Sequence, residues 1–324
     1  MGIGIHIVEP LIREHCYRPV RGEVVTMGRQ TVYFSPKEIL RLLADHGIDT
    51  SATEPGAIEI DSDTIDRLPG YNQRALITDR ALFRLLGVPE IHALDRSDYE
   101  GADIIHDLSL PLPERLHTIA DFIVDGSTLD NTFNPTLTLR NYCEMLKPGG
   151  RLLALNAYSC FDTPYCIMPP MWYLDYFVMN NFTDCKAYVL VFKGAGPQWN
   201  SYWLDLGWLQ SERRRMGRFV STEHMYSVIF AEKGPDSTSD RYPVQQDYRS
   251  DEDWELYSRN LAVMQQSKRP HLLRSNSPVF VPDVLGGHML IDSEFKPVPP
   301  TIRRNRGLGE YLAGLRNRGF LASV

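Results

Sequence analysis

Several absences restrict the classes of protein to which this chain can belong. No run approaches the roughly 18 apolar residues that a membrane-spanning helix needs, and the N-terminus lacks a basic stretch followed by an apolar core. Basic residues are outnumbered, with 34 Lys and Arg against 41 Asp and Glu, which gives a net charge of −7. We therefore expect a cytoplasmic protein that neither enters a membrane nor binds nucleic acid.

Cysteine is scarce, with five residues in 324 and no CxxC spacing. An odd number without paired spacing predicts reduced thiols and makes a disulfide framework a minor alternative. Cys160 and Cys166 could both ligate a metal, but two ligands do not make a zinc site, so we predict no bound metal. The cysteines are Cys16, Cys143, Cys160, Cys166 and Cys185.

A glycine-rich dinucleotide loop is also absent. The sequence contains no GxGxxG, and the first apolar run, 24–27, leads to a single glycine, Gly28. A dinucleotide fold places a ribose-binding carboxylate about 20 residues after its glycines. The best candidate here, Asp95, lies much further along the chain, so the use of NAD is poorly supported.

The chain does contain short apolar runs that alternate with capped helices, which predicts a mostly parallel α/β sheet. Ser35 and Glu38 form a capping box, and Thr78 and Asn134 can cap two further helices. The last two strand-like runs have no helix between them and predict an antiparallel edge pair. The seven runs are 24–27, 91–94, 102–105, 122–124, 152–155, 187–192 and 225–231.

Composition also divides the chain along its length. Residues 1–22 read as an irregular lead-in and 23–233 as the main domain, with insertions at 48–75 and 194–222. Residues 234–324 are polar and read as an extension that is irregular apart from a helix near 251–266. This extension is our candidate surface for a homodimer.

Three carboxylates stand where predicted strands end. Asp95, Asp107 and Asp125 each follow an apolar run. A single such residue is most simply the cap of the next helix. Three of them together favour a ligand site over helix caps, because the carboxyl ends of parallel strands share one crevice in which ligands bind.

Two long motifs resemble the class I S-adenosylmethionine-dependent methyltransferases. They are IHALDRSDYEGADIIHDLSLPLP at 91–113 and DFIVDGSTLDNTFNPTLTLRNYCEMLKPGG at 121–150. They are closest to a bacterial subgroup with motifs similar to LDxSDYEGAxIIHDLN and DGGTLEHVFN, and the GRQ after the first strand extends the resemblance. It implies a Rossmann-like class I sheet of seven strands, mostly parallel with an antiparallel edge pair, that binds S-adenosylmethionine and releases S-adenosylhomocysteine.

The resemblance implies cofactor contacts at the strand ends, which we carry over position by position. The methionine part lies beside the end of the first strand, the ribose and adenine beside the second and third, and the sulfonium above the central strand. In that order the implied contacts are Met27, Gly28 and Arg29; Asp95, Arg96 and Ser97; Asp107 and Leu108; and Asp125, Gly126 and Ser127.

A hydroxyl acceptor benefits from a base within hydrogen-bond reach. This chain has Asp130-Asn131 where the subgroup has Glu-His. An asparagine cannot take up a proton near neutral pH, so Asp130 is the first candidate for a catalytic base and His106 the second. Asp162, Glu223 and His224 are further candidates, each with a surface or structural role as its alternative, and for His224 the surface or edge role is favoured.

The acceptor is expected above the strand ends, beside the aromatic segment 156–171. That segment suits a sugar, an aromatic or a peptide-like group, and core packing under a long loop is the alternative. No Asn-Pro-Pro-Tyr-type motif follows the central strand. We therefore expect a biosynthetic enzyme that methylates oxygen on a small molecule or glycan. The departure at Asp130-Asn131 keeps open a non-catalytic, methyltransferase-like binding or scaffold subunit.

Overall fold

The computed structural model of the protein describes residues 2–61, 75–98, 100–159, 164–193, 200–205, 224–267, 290–292 and 297–298. The α-helices in these ranges are α1 (Ile5–Tyr17), α2 (Pro36–Asp45), α3 (Asp79–Leu85), α4 (Pro135–Met145), α5 (Pro170–Met179) and α6 (Asp251–Gln265). The strands are β1 (Val24–Met27), β2 (Ile91–Asp95), β3 (Ile104–Ile105), β4 (Ala120–Gly126), β5 (Leu146–Ala157), β6 (Asp184–Lys193), β7 (Asn200–Asp205), β8 (His224–Glu232), β9 (Leu290–Asp292) and β10 (Pro297–Val298).

The strands form one sheet in the order β10-β9-β7-β6-β8-β5-β4-β1-β2-β3. The five strands from β5 to β3 are parallel to one another, and β8 is antiparallel to both β5 and β6. The predicted seven-stranded, mostly parallel sheet with an antiparallel pair is therefore confirmed. β7, β9 and β10 continue the sheet beyond β6, and β7 lies inside the segment predicted as an insertion.

The helix signals act as the sequence predicts. Ser35 and Glu38 form the capping box of α2, with the Ser35 amide donating to Glu38 Oε2 at 2.9 Å. The Thr78 hydroxyl oxygen accepts from the Ala81 amide at 3.0 Å, and Asn134 Oδ1 accepts from the Leu137 amide at 3.2 Å. Each cap satisfies an amide that the first turn of a helix leaves unpaired.

The prediction of an irregular lead-in over 1–22 is wrong, because residues 5–17 form α1. The helix contains Pro10. Because proline is disfavoured in a helix interior, the sequence did not predict a helix there. Leu11 is buried in the core, and Glu14 Oε1 lies 2.6 Å from Arg151 Nη1, with side-chain exposures of only 0% and 6%. This buried ion pair attaches α1 to β5.

The Lys-Pro-Gly-Gly sequence at 147–150 forms a bulge at the start of β5. Ala120 pairs with Leu146 but Phe122 pairs with Arg151, so residues 147–150 lie outside the strand register, and the Lys147 side chain bonds to Asp121 of β4. Gly149 has a φ of +80°, which glycine adopts without strain. Of the predicted insertion at 48–75, residues 62–74 lie outside the described part of the chain.

The sheet has a hydrophobic core on each face. Alternate residues of β4 divide between them, with Ile123 in one core and Phe122 and Val124 in the other. Tyr142 of α4 and the side chains of α5 fill the first core, while residues of α1, α2 and α3 fill the second. Among the described residues, no helix is long and apolar enough to cross a membrane.

Candidate active site at the carboxyl ends of the strands

The ends of β1 and β2 meet at Gly28 and Asp95. The Gly28 amide donates to Leu94 O at 2.8 Å, and its φ of +70° is in the left-handed region. A Cβ on Gly28 would lie 3.2 Å from Asp95 Oδ2. Asp95 is half-buried, and its Oδ1 accepts from the Arg96 amide at 2.6 Å. Glycine therefore lets the end of β1 approach the carboxylate closely.

Asp125, at the end of β4, is almost fully buried. Its carboxylate accepts from the Thr128 amide at 2.7 Å and from Asn156 Nδ2 at 2.8 Å. The Thr128 hydroxyl in turn donates to Met27 O at 2.8 Å. Hydrogen bonds thus connect the ends of β1, β4 and β5. Burial raises the pKa of Asp125 to about 7, although the hydrogen bonds from Asn156 and Thr128 oppose that rise.

Asp130 is fully buried in the loop after β4, and its hydrogen bonds hold three segments together. Its Oδ2 accepts from the Ala157 amide at 2.6 Å, and the Ser127 hydroxyl donates to both carboxylate oxygens at 2.9 Å. Asn131 Nδ2 donates to Oδ1 at 3.1 Å. Burial raises the pKa of Asp130. The carboxylate predicted as the catalytic base is therefore fully buried and hydrogen-bonded to groups of the protein itself.

Gln30 is a buried residue of this site that sequence reasoning missed. Its Nε2 donates to Met27 O at 2.9 Å, and its amide donates to Asp79 Oδ2 at 3.0 Å. A Cβ on Gly126 would lie only 1.9 Å from Gln30 Oε1, so the side chain packs directly on that glycine. Gln30 therefore couples the loop after β1 to the end of β4.

The side chain of Arg29, predicted beside the cofactor, is bonded to the segment between β2 and β3. Its guanidinium donates to Gly101 O at 3.0 Å and to Asp103 Oδ2 at 2.9 Å. Asp103 also accepts from the Ala93 amide at 3.0 Å. The side chain of Arg29 thus ties the β1 loop to the segment between β2 and β3, and only its backbone follows Gly28.

The loops after β2 and β3 carry the residues predicted beside ribose and adenine. The His106 amide donates to Asp95 O at 2.9 Å, and its ring is half-buried. A hydrogen bond from the Ser109 amide holds the pKa of Asp107 below its usual range. Arg96 Nε lies 3.4 Å from Asp107 Oδ2 with its side chain 82% exposed, a pairing that contributes little stability. Leu108 is buried, and its carbonyl accepts from Asn141.

The structure brings most of the predicted residues to one edge of the sheet. His224 lies at the same edge, exposed at the start of β8, because antiparallel pairing places that start beside the end of β5. Asp162 and Glu223 lie outside the described residues. Asn156 could have been found from the sequence, since it follows a predicted strand just as Asp125 does. Gln30 belongs to the GRQ that extends the resemblance, but no contact was predicted for it. Among the described residues, no group of three His, Cys, Asp or Glu side chains could hold a metal.

Asp125 should make the stability of the protein depend on pH. Between about pH 4 and 7 the folded protein holds a proton that the unfolded chain releases, so stability falls as pH rises through that window. Asp125→Asn lacks this contribution. We expect its free energy of unfolding, relative to wild type, to increase by roughly 1–3 kcal/mol from pH 5 to pH 8 in urea titrations. A difference that is constant with pH, as expected for the exposed control Asp236→Asn, would contradict the assignment.

No protein-family model and no curated protein matches the sequence. Solved structures are similar to it at low identity. The citrinin polyketide synthase CMeT domain is 14% identical, with a TM-score of 0.35 over 71% of this chain and 52% of that chain. A SAM-dependent methyltransferase from Archaeoglobus fulgidus is 12% identical, with a TM-score of 0.32 over 71% of this chain and 95% of that chain.

A third similar structure is phosphoethanolamine N-methyltransferase 2 from Haemonchus contortus in complex with S-adenosyl-L-methionine. It is 9% identical, with a TM-score of 0.33 over 70% of this chain and 52% of that chain. The chain spans about half the length of this protein and of the polyketide synthase domain. Because these values are low, the strand order and the antiparallel β8 between β5 and β6 decide the architecture. This architecture is the class I methyltransferase fold.

Proposed function

We propose that the chain is an S-adenosylmethionine-dependent methyltransferase that binds its cofactor along the carboxyl ends of β1, β2 and β4. The observation that carries the proposal is the contact between Gly28 and Asp95. A positive φ and a missing Cβ open the backbone at the end of β1 directly beside a half-buried carboxylate. A carboxylate in this position accepts hydrogen bonds from a pair of ribose hydroxyls.

The residues along this edge fit the chemistry of the cofactor. Asp95 and Asp107 supply acceptors for hydroxyl and amino groups, and their negative charge suits a cationic ligand. Gly28 lets the backbone at the end of β1 approach closely. When bound, S-adenosylmethionine supplies an activated methyl group. The protein has to orient the acceptor in line with it, and orientation of this kind contributes roughly 7–11 kcal/mol.

We propose that the acceptor is a small molecule or glycan methylated at oxygen and held by the loops after β4 and β5. In the described part of the chain these loops comprise residues 127–134, 158–159 and 164–169. A hydrogen-bond network of Asp125, Thr128 and Asn156 connects the starts of the two loops. The role of this network is to keep the two loops at a fixed distance from each other, and so to position an acceptor between them.

A second candidate function is that of a non-catalytic binding or scaffold subunit. The burial of Asp130 favours it, because the residue predicted to activate a hydroxyl is saturated with hydrogen bonds. The two candidates share the fold and the cofactor crevice. They differ in whether a methyl group leaves the cofactor.

Binding of S-adenosylmethionine and S-adenosylhomocysteine to the full chain, measured by calorimetry, tests the proposal. We expect saturable binding of both, and co-purified cofactor in the denatured protein by mass spectrometry. No binding at millimolar cofactor would rule out the methyltransferase assignment. Binding without transfer of a radiolabelled methyl group to any hydroxyl-bearing acceptor tested would favour the second candidate.

A further inference from the structure

Two large aromatic side chains stand exposed above the strand ends. Phe133 is 85% exposed and Tyr165 is 71% exposed, although both rings are apolar over most of their surface. The rings contact each other edge to face, with centroids 5.8 Å apart and planes at 77°. Phe133 belongs to the loop after β4 and Tyr165 to the loop after β5. We call these two residues the aromatic pair.

The buried Asp130 fixes the aromatic pair in place. The Cys166 amide, next to Tyr165, donates to Asp130 O at 3.1 Å. The Asp130 carboxylate holds the Ala157 amide, and its own amide donates to Asn156 Oδ1 at 3.0 Å. Asp130, in the loop that carries Phe133, is therefore bonded to the end of β5 and to the loop that carries Tyr165. The exposure of the rings follows from an ordered loop arrangement and not from an unsupported chain end.

The position of the aromatic pair is that of an acceptor subsite. β4 and β5 are parallel neighbours, so the loops that follow them rise from the same edge as Gly28 and Asp95. The loop that carries Phe133 begins at Ser127, which the resemblance places beside the sulfonium of the cofactor. Exposed aromatic surface that continues a binding crevice marks a place where a ligand completes the contact.

We propose that the aromatic pair binds the ring of an aromatic acceptor, so that the substrate is a phenol-like small molecule. This proposal rests on the proposed function and narrows it. Aromatic rings prefer offset-stacked or edge-to-face contacts, and a third ring extends the arrangement that Phe133 and Tyr165 already form. A phenolic hydroxyl ionises near pH 10, as tyrosine does, so it loses its proton more readily than the hydroxyl of a sugar.

The methyl transfer that this acceptor undergoes is balanced without a further reactant. The phenol oxygen forms a bond to the methyl carbon as the bond from that carbon to sulfur breaks. The sulfur keeps the electron pair and becomes neutral in S-adenosylhomocysteine. The phenolic proton is released to solvent.

Binding of 4-methylphenol to the full chain, saturated with S-adenosylhomocysteine, tests the proposal by ligand-observed NMR. Cyclohexanol and methyl glucoside are the comparison probes. We expect Phe133→Ala and Tyr165→Ala each to weaken 4-methylphenol binding about 3- to 10-fold, the range of a single aromatic contact. Tyr165→Phe keeps the ring and should bind as wild type does. Cyclohexanol affinity should change little in any variant.

Tyr248→Ala is the matched control, because Tyr248 is 81% exposed and belongs to neither of the two loops. An unchanged 4-methylphenol affinity in Phe133→Ala, or an equal loss in Tyr248→Ala, overturns the proposal. So does tighter binding of methyl glucoside that depends on Phe133, which would assign the site to a sugar. A dimer that becomes a monomer in Phe133→Ala by sedimentation velocity would assign the pair to a contact between two copies.

The same samples separate this proposal from the proposed function. Calorimetry with S-adenosylhomocysteine on wild type and variants reports the cofactor crevice alone. Its failure in wild type refutes the cofactor assignment, whereas ring-independent binding of 4-methylphenol to a cofactor-loaded protein refutes only the aromatic subsite. Equal cofactor affinity in Phe133→Ala and wild type also shows that the variant is folded.

Discussion

Asp130→Ala is expected to lower the free energy of unfolding by about 3–5 kcal/mol. The substitution leaves the buried Ala157 amide without its acceptor and removes the acceptor of the Ser127 hydroxyl and of Asn131. Each unsatisfied buried group costs roughly 1–3 kcal/mol, since it loses water on folding and gains no partner. Urea denaturation at neutral pH measures the change.

The role of Asp130 can be separated from that of a base by comparing stability with turnover. Asp236→Ala, at an exposed turn, is the matched control and should change stability by less than about 0.5 kcal/mol. If Asp130 holds the loops, Asp130→Asn loses stability together with any activity. A fully stable Asp130→Asn variant that has lost only turnover would restore the residue as the base.

Asp95→Ala is expected to weaken the binding of S-adenosylmethionine and S-adenosylhomocysteine about 10- to 100-fold. Hydrogen bonds to a charged group contribute roughly 1.5–3 kcal/mol, and each 1.4 kcal/mol changes a dissociation constant tenfold. Both ligands carry the ribose, so both should lose affinity by the same factor. Calorimetry with each ligand gives the two dissociation constants.

Asp98→Ala is the control for Asp95, because Asp98 is an exposed carboxylate three residues later in the same loop. It changes the net charge equally, so it reports any long-range attraction of a cationic ligand. We expect its affinity for S-adenosylhomocysteine, which lacks the sulfonium charge, to match wild type. An Asp95→Ala variant that binds as tightly as Asp98→Ala would refute the ribose contact.

Local signals were sufficient for most of the elements. The capping box of Ser35 and Glu38 and the caps at Thr78 and Asn134 each depend on residues three apart, and each forms as expected. Apolar runs likewise gave the seven strands of the class I sheet. α1 was missed because Pro10 masks a helix that is attached through Glu14 to Arg151, and no local pattern reports a contact 137 residues away.

The sequence predicted where the site lies, but it predicted the contacts of the site residues incompletely. Asp95, Asp107 and Asp125 lie at the strand ends because a parallel sheet brings those ends to one edge. Gln30 was missed, since its packing on Gly126 depends on the approach of β1 to β4. Arg29 was expected beside the cofactor, but its side chain is paired with Asp103, 74 residues later in the chain.

The sequence by itself predicted seven strands of the sheet, most of its helices and the edge at which its acidic residues meet, because these follow from periodicity, caps and the geometry of a parallel sheet. The tertiary structure alone decided what the residues at that edge do. The sequence predicted Asp130 as a catalytic base. In the structure it is buried and forms hydrogen bonds with Asn156, Ala157 and Cys166. Accessibility and hydrogen-bond saturation arise from segments that are distant in sequence and adjacent only after folding.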